Sequence, residues 1–490
     1  MSQNRYDITV PGRYEQALSL VKEYLGHGTS FDVVIREVEV GGRRAFFAAI
    51  DGFVKDDVLL RITNFLQRVP SQTSIQLDLE QYIQRQIGYI EVNTEENLKK
   101  ALDMVLGGPI ALFIEGAKKA VLIDARTFPA RSPSEPDMEK VLRGPKDGLT
   151  ETIVFNTALI RRRIRDPQLR VELHTVGARS KTDVVMMYIA DIANPQLVET
   201  IRQKIQSIVV DGMPMAEKTL EEFLIPRKSW WNPFPVTRFT ERPDTAAVHL
   251  LEGHIVLLVD TSPIALILPT TFFHHLEHAQ EFHEDTIVGI LLRFARYAGL
   301  FLAWVAVPLW VAFALQPEHM PSWLRFSLPE KNVLIPLFVQ FIMAELGIEL
   351  IRMALIHTPT ALATSLGIIG AVLLGQLAVE VGLFTNEAIL YATLAALGLF
   401  TIPSMELSQA IRVSRVILLL LAGVAQLPGV IIGFALNVFL LAITRSYGVP
   451  YLWPLIPFDY EGITHVLIRR PVPTMVHRPK LVDPQDPERR

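Results

Sequence analysis

The sequence predicts an α/β soluble N-terminal region in two subdomains, followed by an α-helical polytopic membrane domain. Three observations predict this division. Charged residues recur every few positions as far as about residue 285 and nearly vanish over 297–443, although they make up 20% of the whole chain. Apolar runs in the second half reach the roughly 20 residues that a bilayer span needs. In the first half, pieces with helical and strand-like spacing alternate between Gly and Pro turn signals.

With 490 residues the chain is too long for a single core. The expected division is 1–130 and 131–290 for the two α/β subdomains, 291–460 for the membrane domain and 461–490 for a basic, Pro-rich cytosolic tail. A net charge of −4 gives no support for nucleic-acid binding, and the absence of cysteine excludes disulfides, thiolate metal sites and a cysteine nucleophile. Residues 1–24 carry Arg5, Asp7, Arg13, Glu15, Lys22 and Glu23 with no apolar stretch among them. No signal peptide is therefore expected, and the soluble half should stay in the cytosol.

Residues 44–50 read as a buried strand, and 56–68 as a helix through Val58, Ile62, Phe65 and Leu66. A helix over 95–106 should end at Gly107-Gly108-Pro109. Residues 110–114 and 120–124 flank a turn and read as a β-hairpin. Pro129 to Pro136 is the best linker candidate. Beyond it the expected order is a helix over 150–165, strands over 169–176 and 184–189, a helix over 195–207, and strands over 254–260 and 265–268. Arg161, Arg162, Arg163 and Arg165 read either as a solvated helix face or as a site for anionic lipid or a partner.

No phosphate-binding glycine loop follows a strand. His274 and His278, four apart in the run 272–285, could share a divalent ion on a helix. The pattern is not HExxH, and an exposed polar helix beside the membrane is the competing reading. No nucleophile, base and orienting group come together, so an enzyme is not expected, and neither is a cofactor or a metal.

In the second half, expected spans are 297–315, 333–355, 360–384 and 388–403, with Arg293 and Arg296 favouring a cytosolic start. The last apolar run, 416–443, is interrupted at Gln426-Leu427-Pro428-Gly429. A fifth crossing would put the basic tail outside, so a re-entrant hairpin hinged at Pro428 and Gly429 is preferred, with Arg412 and Arg415 at its cytosolic entrance. Glu345, Glu349 and Arg352 share one helical face and should point into the bundle, as a structural ion pair or as part of a permeation path. Leu362, Leu366, Ile369, Leu373, Gln376 and Glu380 also share a face. Ser365, Gly367, Gly370, Ala371, Gly375 and Ala378 allow close helix approach. In a ring of helices that face would give apolar rings above a ring of Gln and Glu; in a single bundle it is ordinary packing.

Several of these runs resemble the GerA family of spore germination A subunits. They are 144–165 (GPKDGLTETIVFNTALIRRRIR), 176–183 (VGARSKTD), 240–244 (TERPD), 345–352 (ELGIELIR), 367–382 (GIIGAVLLGQLAVEVG) and 445–457 (RSYGVPYLWPLIP). The tail, 472–490, resembles one sporulation-stage branch of that family. The resemblance implies a multi-pass protein of the inner spore membrane that forms a homo-oligomer, a pentamer, and conducts monovalent cations during germination. It implies a transporter-like B subunit and a lipoprotein C subunit as partners, or a branch-specific membrane partner. A secondary transporter and a non-conducting scaffold are the alternatives.

Overall fold

The structure is a computed structural model that describes residues 5–54, 56–69, 91–126, 139–226, 230–329, 334–357, 367, 368, 370 and 372–489. Two compact units are present. An α/β unit comprises Met1–Arg227, Phe239–Pro269 and Val472–Arg490, and a helical unit comprises Lys228–Arg238 and Thr270–Pro471.

The α/β unit runs α1 (Tyr14–Leu25), β1 (Val33–Val40), β2 (Arg43–Ile50), α2 (Asp56–Gln67), β3 (Val92–Glu95), α3 (Leu98–Leu106), β4 (Ile110–Ile114) and β5 (Ala120–Ile123). It continues with α4 (Ile153–Arg161), β6 (Leu169–Val176), β7 (Thr182–Ile189), α5 (Pro195–Gln206), α6 (Ala216–Leu224), β8 (Arg238–Thr240), α7 (Pro243–Leu251), β9 (Ile255–Val259) and β10 (Ala265–Leu268). Its strands form two five-stranded sheets, β1-β2-β4-β5-β3 and β6-β7-β9-β10-β8. The second order repeats the first with every strand advanced by five. The α/β unit is therefore one topology used twice, a repeat with no counterpart in the motifs of the sequence.

The reason these segments are strands is visible in their burial. β4, β5, β9 and β10 are buried at every position, because helices cover the sheet faces. Asn97 caps α3 by accepting from Lys100 N at 3.0 Å, and Asn194 caps α5 ahead of Pro195. Glu95, expected within a helix, instead ends β3, so α3 begins three residues later than the periodicity implies. The arginine run is not one solvated face. Arg161 is buried and makes a two-pronged ion pair with Asp32 of the first sheet's subdomain, and Arg163 pairs with Asp147 at 2.6 Å; Arg162 and Arg165 are exposed.

The expected tail, 461–490, does not stay together. Val472–Arg490 belongs to the α/β unit, while the preceding residues belong to the helical unit. Leu481 and Val482 are buried, Gln485 Nε2 donates to the carbonyls of Ala190 and Ala193, and Arg478 Nε donates to Leu251 O at 3.0 Å. These contacts use side chains that a charge count reads as a solvated tail.

The helical unit contains α8 (Thr286–Leu315), α9 (Leu337–His357), α10 (Asn386–Phe400), α11 (Met405–Ile443) and α12 (Tyr460–Leu467). Among the described residues, α8 and α11 are long and apolar enough to cross a membrane, and α10 is a shorter apolar helix. α8 starts eleven residues before the expected span at 297, because its arginines are neutralised inside the fold. Within α8 the turn Leu302–Ala306 is π-helical and precedes Pro308, which has no N–H to return to the turn before it. α8 and α10 cross at glycines. A Cβ on Gly398 would lie 2.3 Å from Gly299 O, and one on Gly299 would lie 2.2 Å from Thr401 Oγ1.

α11 is not one straight rod. Gln426 has φ 52° and ψ −136°, a conformation that no helix contains. The chain reverses there: Ser414 Oγ donates to Asn437 Oδ1 at 2.6 Å, although 23 residues separate them. In a straight helix they would be about 35 Å apart. Side chains of Leu418 and Leu421 pack against Gly433 across the two limbs. The reversal lies two residues ahead of Pro428, whose ring then fits the start of the second limb. The first limb begins at Met405 rather than 416, so it has the roughly 20 residues that a span needs and is not too short to cross.

Candidate functional site

The helical unit places charge in its interior. α9 carries Glu345, Glu349 and Arg352 on one face, and the first limb of α11 carries Arg412 and Arg415 opposite them. Arg415 Nη2 pairs with Glu345 Oε1 at 2.5 Å, and Arg412 Nε lies 3.8 Å from Glu345 Oε2. Glu349 is shared by Arg412 and Arg352. Arg415, almost fully buried, also donates to Ala303 O at 2.7 Å, on the turn just before Pro308. One guanidinium thus joins α8, α9 and α11. Arg412 and Arg415 are therefore paired inside the unit rather than standing free ahead of the apolar run. Their spacing of three opposite two glutamates spaced by four was the available signal, and it is readable only once the two helices are known to be neighbours.

A second charged node holds the start of α8. Glu281, fully buried, takes Arg293 Nε at 2.8 Å and also Arg296. Arg293 Nη1 donates to His465 O and Val466 O, and Tyr297 Oη donates to Val466 O at 2.7 Å. Arg469 Nη1 donates to Glu284 O at 2.7 Å. Arg293 and Arg296 are consequently buried groups with fixed partners, not loop charges.

Trp304 ties α8 to both limbs of α11. Its Nε1 donates to Ser414 Oγ at 2.7 Å, and its ring lies 5.5 Å from that of Phe434. At the far end of α8, Gln316 Nε2 donates to Gln426 Oε1, so the tip of α11 reaches the end of α8. The opposite ends of α11 lie together. Ser404, its N-cap, contacts His275 Nδ1 at 3.2 Å, and Thr444, its C-cap, accepts from Asn232 Nδ2 at 2.8 Å.

His274 sits in a 3-10 turn rather than on a helix with His278, and it is buried rather than exposed. Its Nδ1 accepts from Thr271 N at 3.1 Å, and burial, with Arg238 nearby, pushes its pKa down to about 3. His278 Nδ1 accepts from Gln280 N. The two rings thus serve separate local bonds.

Leu362, Leu366 and Ile369 lie outside the described residues, as does the side chain of Leu373. Gln376 and Glu380 are described. Both are exposed, and Gln376 Nε2 donates to Glu380 Oε1 at 3.3 Å. Their depth in the unit follows from their neighbours. A Cβ on Gly370 would meet Ile351 of α9, and Thr385 N donates to Gln340 Oε1, near the other end of α9, at 2.9 Å. The segment therefore runs antiparallel to α9, with Gln376 level with the middle of α9 and Glu380 at its last helical residue, just before the turn that leads to Thr385. Pro428 and Gly429 lie at the head of the second limb, where a Cβ on Gly429 would be 2.3 Å from Leu421 O.

The profile of the family described as Bacillus/Clostridium GerA spore germination protein matches residues 19–481. Stage V sporulation protein AF of Bacillus subtilis (strain 168) is 44% identical over 465 residues, 95% of this chain and 94% of that protein. Spore germination protein GerLA of Bacillus cereus is 29% identical, over 98% of this chain and 97% of its own. The N-terminal domain of the A subunit of the Bacillus megaterium spore germinant receptor GerK3 is 29% identical with a TM-score of 0.42, covering 54% of this chain and 97% of that one. By the family match and by the length and identity of the stage V relative, the chain belongs to the GerA family of spore germination proteins.

Proposed function

We propose that the chain is a membrane subunit of the spore germination machinery that assembles with copies of itself into a gated channel for monovalent cations. The lining face is Leu362, Leu366, Ile369, Leu373, Gln376 and Glu380. The observation that carries this reading is the exposure of Gln376 and Glu380 on an otherwise apolar segment, Gln376 level with the middle of α9 and Glu380 at the end of its helix. Polar groups facing hydrocarbon are unfavourable, a carboxylate by up to about 2.5–3.5 kcal/mol at the bilayer centre on insertion scales. Facing an aqueous axis shared by several copies removes that cost, and a ring of carboxylates there favours cations. The glutamates of α9, by contrast, already have arginine partners, which makes them supports of the bundle.

Even passage favours one side for both ends. From contacts within the helical unit, α8 descends, α9 ascends, 367–384 descends, α10 ascends, and α11 descends and returns. In the inner spore membrane this order leaves the N-terminal region and the residues after α11 on the same side, and the basic residues Arg469, Arg470, Arg478 and Lys480 favour the cytosol for it. The proposed assembly has five copies, with B- and C-type subunits or a branch-specific membrane protein as partners. A secondary transporter is the competing reading, favoured by the break at Gln426; saturable coupled flux through monomers would support it.

The chain lacks cysteine, so Gln376→Cys or Glu380→Cys introduces a single thiol. Oxidation in reconstituted vesicles should link neighbouring copies through either position. A monomer in mild detergent, with no cross-linking at either position, would overturn the proposal.

A further inference from the structure

We infer that the helical unit carries two interfacial anchors for phospholipid headgroups: residues 455–468 at one end and the turn 321–328 at the other. The inference rests on the membrane reading above and sets the depth at which the unit sits.

The first anchor follows the short β-hairpin after α11. Phe458 is 74% exposed and Tyr460 73%, with Leu455, Ile456, Leu467 and Ile468 partly exposed beside them. α12 buries only Gly462 and Val466. A contiguous apolar surface of this kind is unfavourable in water. Its level is fixed, because Arg293 and Tyr297 of α8 bond the carbonyls of His465 and Val466. The second anchor is the 3-10 turn Ser322–Ser327. Trp323 is 72% exposed and Phe326 85%, with Arg325 between them. Trp310 Nε1 donates to Ser327 Oγ at 3.1 Å, which holds the turn beside the last turns of α8.

The separation of the two levels identifies the occupant. From Tyr297, which bonds the first anchor, α8 rises at about 1.5 Å per residue by about 20 Å to Trp310, which bonds the second, and by about 29 Å to its end at Gln316. The hydrocarbon core of a bilayer is about 30 Å thick. Exposed aromatic rings at both ends of such a rise belong at the headgroup layers, where an amphipathic ring is most stable. Arg325, exposed beside those rings, can extend its guanidinium group to a phosphate from that position. A soluble partner would have no reason to meet exposed aromatic surfaces toward both ends of one apolar helix.

The test uses the full chain in vesicles of phosphatidylcholine and phosphatidylglycerol. A spin label is placed at Phe458→Cys, Trp323→Cys, Leu436→Cys or Val209→Cys, each the only cysteine present. Leu436 is exposed midway along the second limb of α11, and Val209 is exposed in the α/β unit. Collision with oxygen and with an aqueous nickel chelate should place the first two labels within about 5–10 Å of the phosphate level. The Leu436 label should be oxygen-accessible only, and the Val209 label chelate-accessible. If both anchor labels match Val209 while Leu436 reports hydrocarbon, the anchors are wrong and the membrane reading stands. If both anchor labels are shielded from oxygen and chelate alike, a protein surface covers them and the anchors are also wrong. If Leu436 itself is open to the chelate, the membrane reading falls and the anchors fall with it.

Discussion

Removing Glu345 should destabilise the helical unit more than its single carboxylate suggests, because two guanidinium groups face it. Arg415 Nη2 is 2.5 Å away and Arg412 Nε 3.8 Å. In Glu345→Gln, Arg412 keeps Glu349, but Arg415 is left with only the Ala303 carbonyl. Stranding one partner of a buried ion pair costs about 3–5 kcal/mol. Arg415→Met leaves Glu345 to Arg412 alone and also frees the Ala303 carbonyl, for a loss of about 3 kcal/mol. The double variant Glu345→Gln/Arg415→Met strands no ion, since Arg412 and Glu349 remain a pair. It should lose only about 1 kcal/mol and be more stable than either single variant. Reversible unfolding of the full chain in mixed micelles, titrated with dodecyl sulfate, reads these differences as shifts of the midpoint. A double variant as unstable as the sum of the two singles would show that the groups do not act as one network.

In the α/β unit, Arg161→Ala leaves Asp32 buried and unpaired and should cost about 3–5 kcal/mol, whereas Arg162→Ala at an exposed position should change stability by less than about 0.5 kcal/mol. Faster amide exchange in β6 and β1 for the first variant only is the readout. Acid should weaken the same unit through Glu172. Burial raises its pKa, but hydrogen bonds with His174, Arg202 and Tyr188 outweigh that and bring it down to about 2. The folded state therefore binds that proton less readily than the unfolded chain. The contribution is complete above the ordinary glutamate range, about 4.3, and is lost as pH falls toward 2. Glu172→Gln should flatten the stability-against-pH curve in that window, and an unchanged curve would remove Glu172 as its cause. Gly398→Val should separate α8 from α10, since even a Cβ would lie 2.3 Å from Gly299 O, and a loss of about 1–3 kcal/mol in the micelle assay is expected.

The broad fold was legible because its signals are local. Charge density marked where the helical half begins, and fully apolar runs such as 110–114 and 255–259 marked buried strands. The repeated sheet order was not legible, since strand neighbours are set by packing between segments far apart in sequence. The same reason hid the site's true partners. Glu349 and Arg352 are three apart on one helix, so their pairing could be anticipated, but Glu345 pairs with Arg415, seventy positions away. Arg293, Arg296, Arg412 and Arg415 all read as flanking positive charge by position alone. Buried Glu281 and the two glutamates of α9 give them interior roles instead. The break in α11 was visible as Pro428-Gly429, yet the reversal falls at Gln426, a residue with no intrinsic preference for a positive φ.

Conductance through planar bilayers containing the reconstituted chain, as wild type and as Glu380→Gln, tests the channel most directly. The wild type should pass potassium and sodium in preference to chloride. Loss of the carboxylate should lower that preference without changing the number of copies in the assembly. A well-folded oligomer that stays electrically silent, or one whose cation preference is unchanged in both Glu380→Gln and Gln376→Ala, would contradict a cation path along this face.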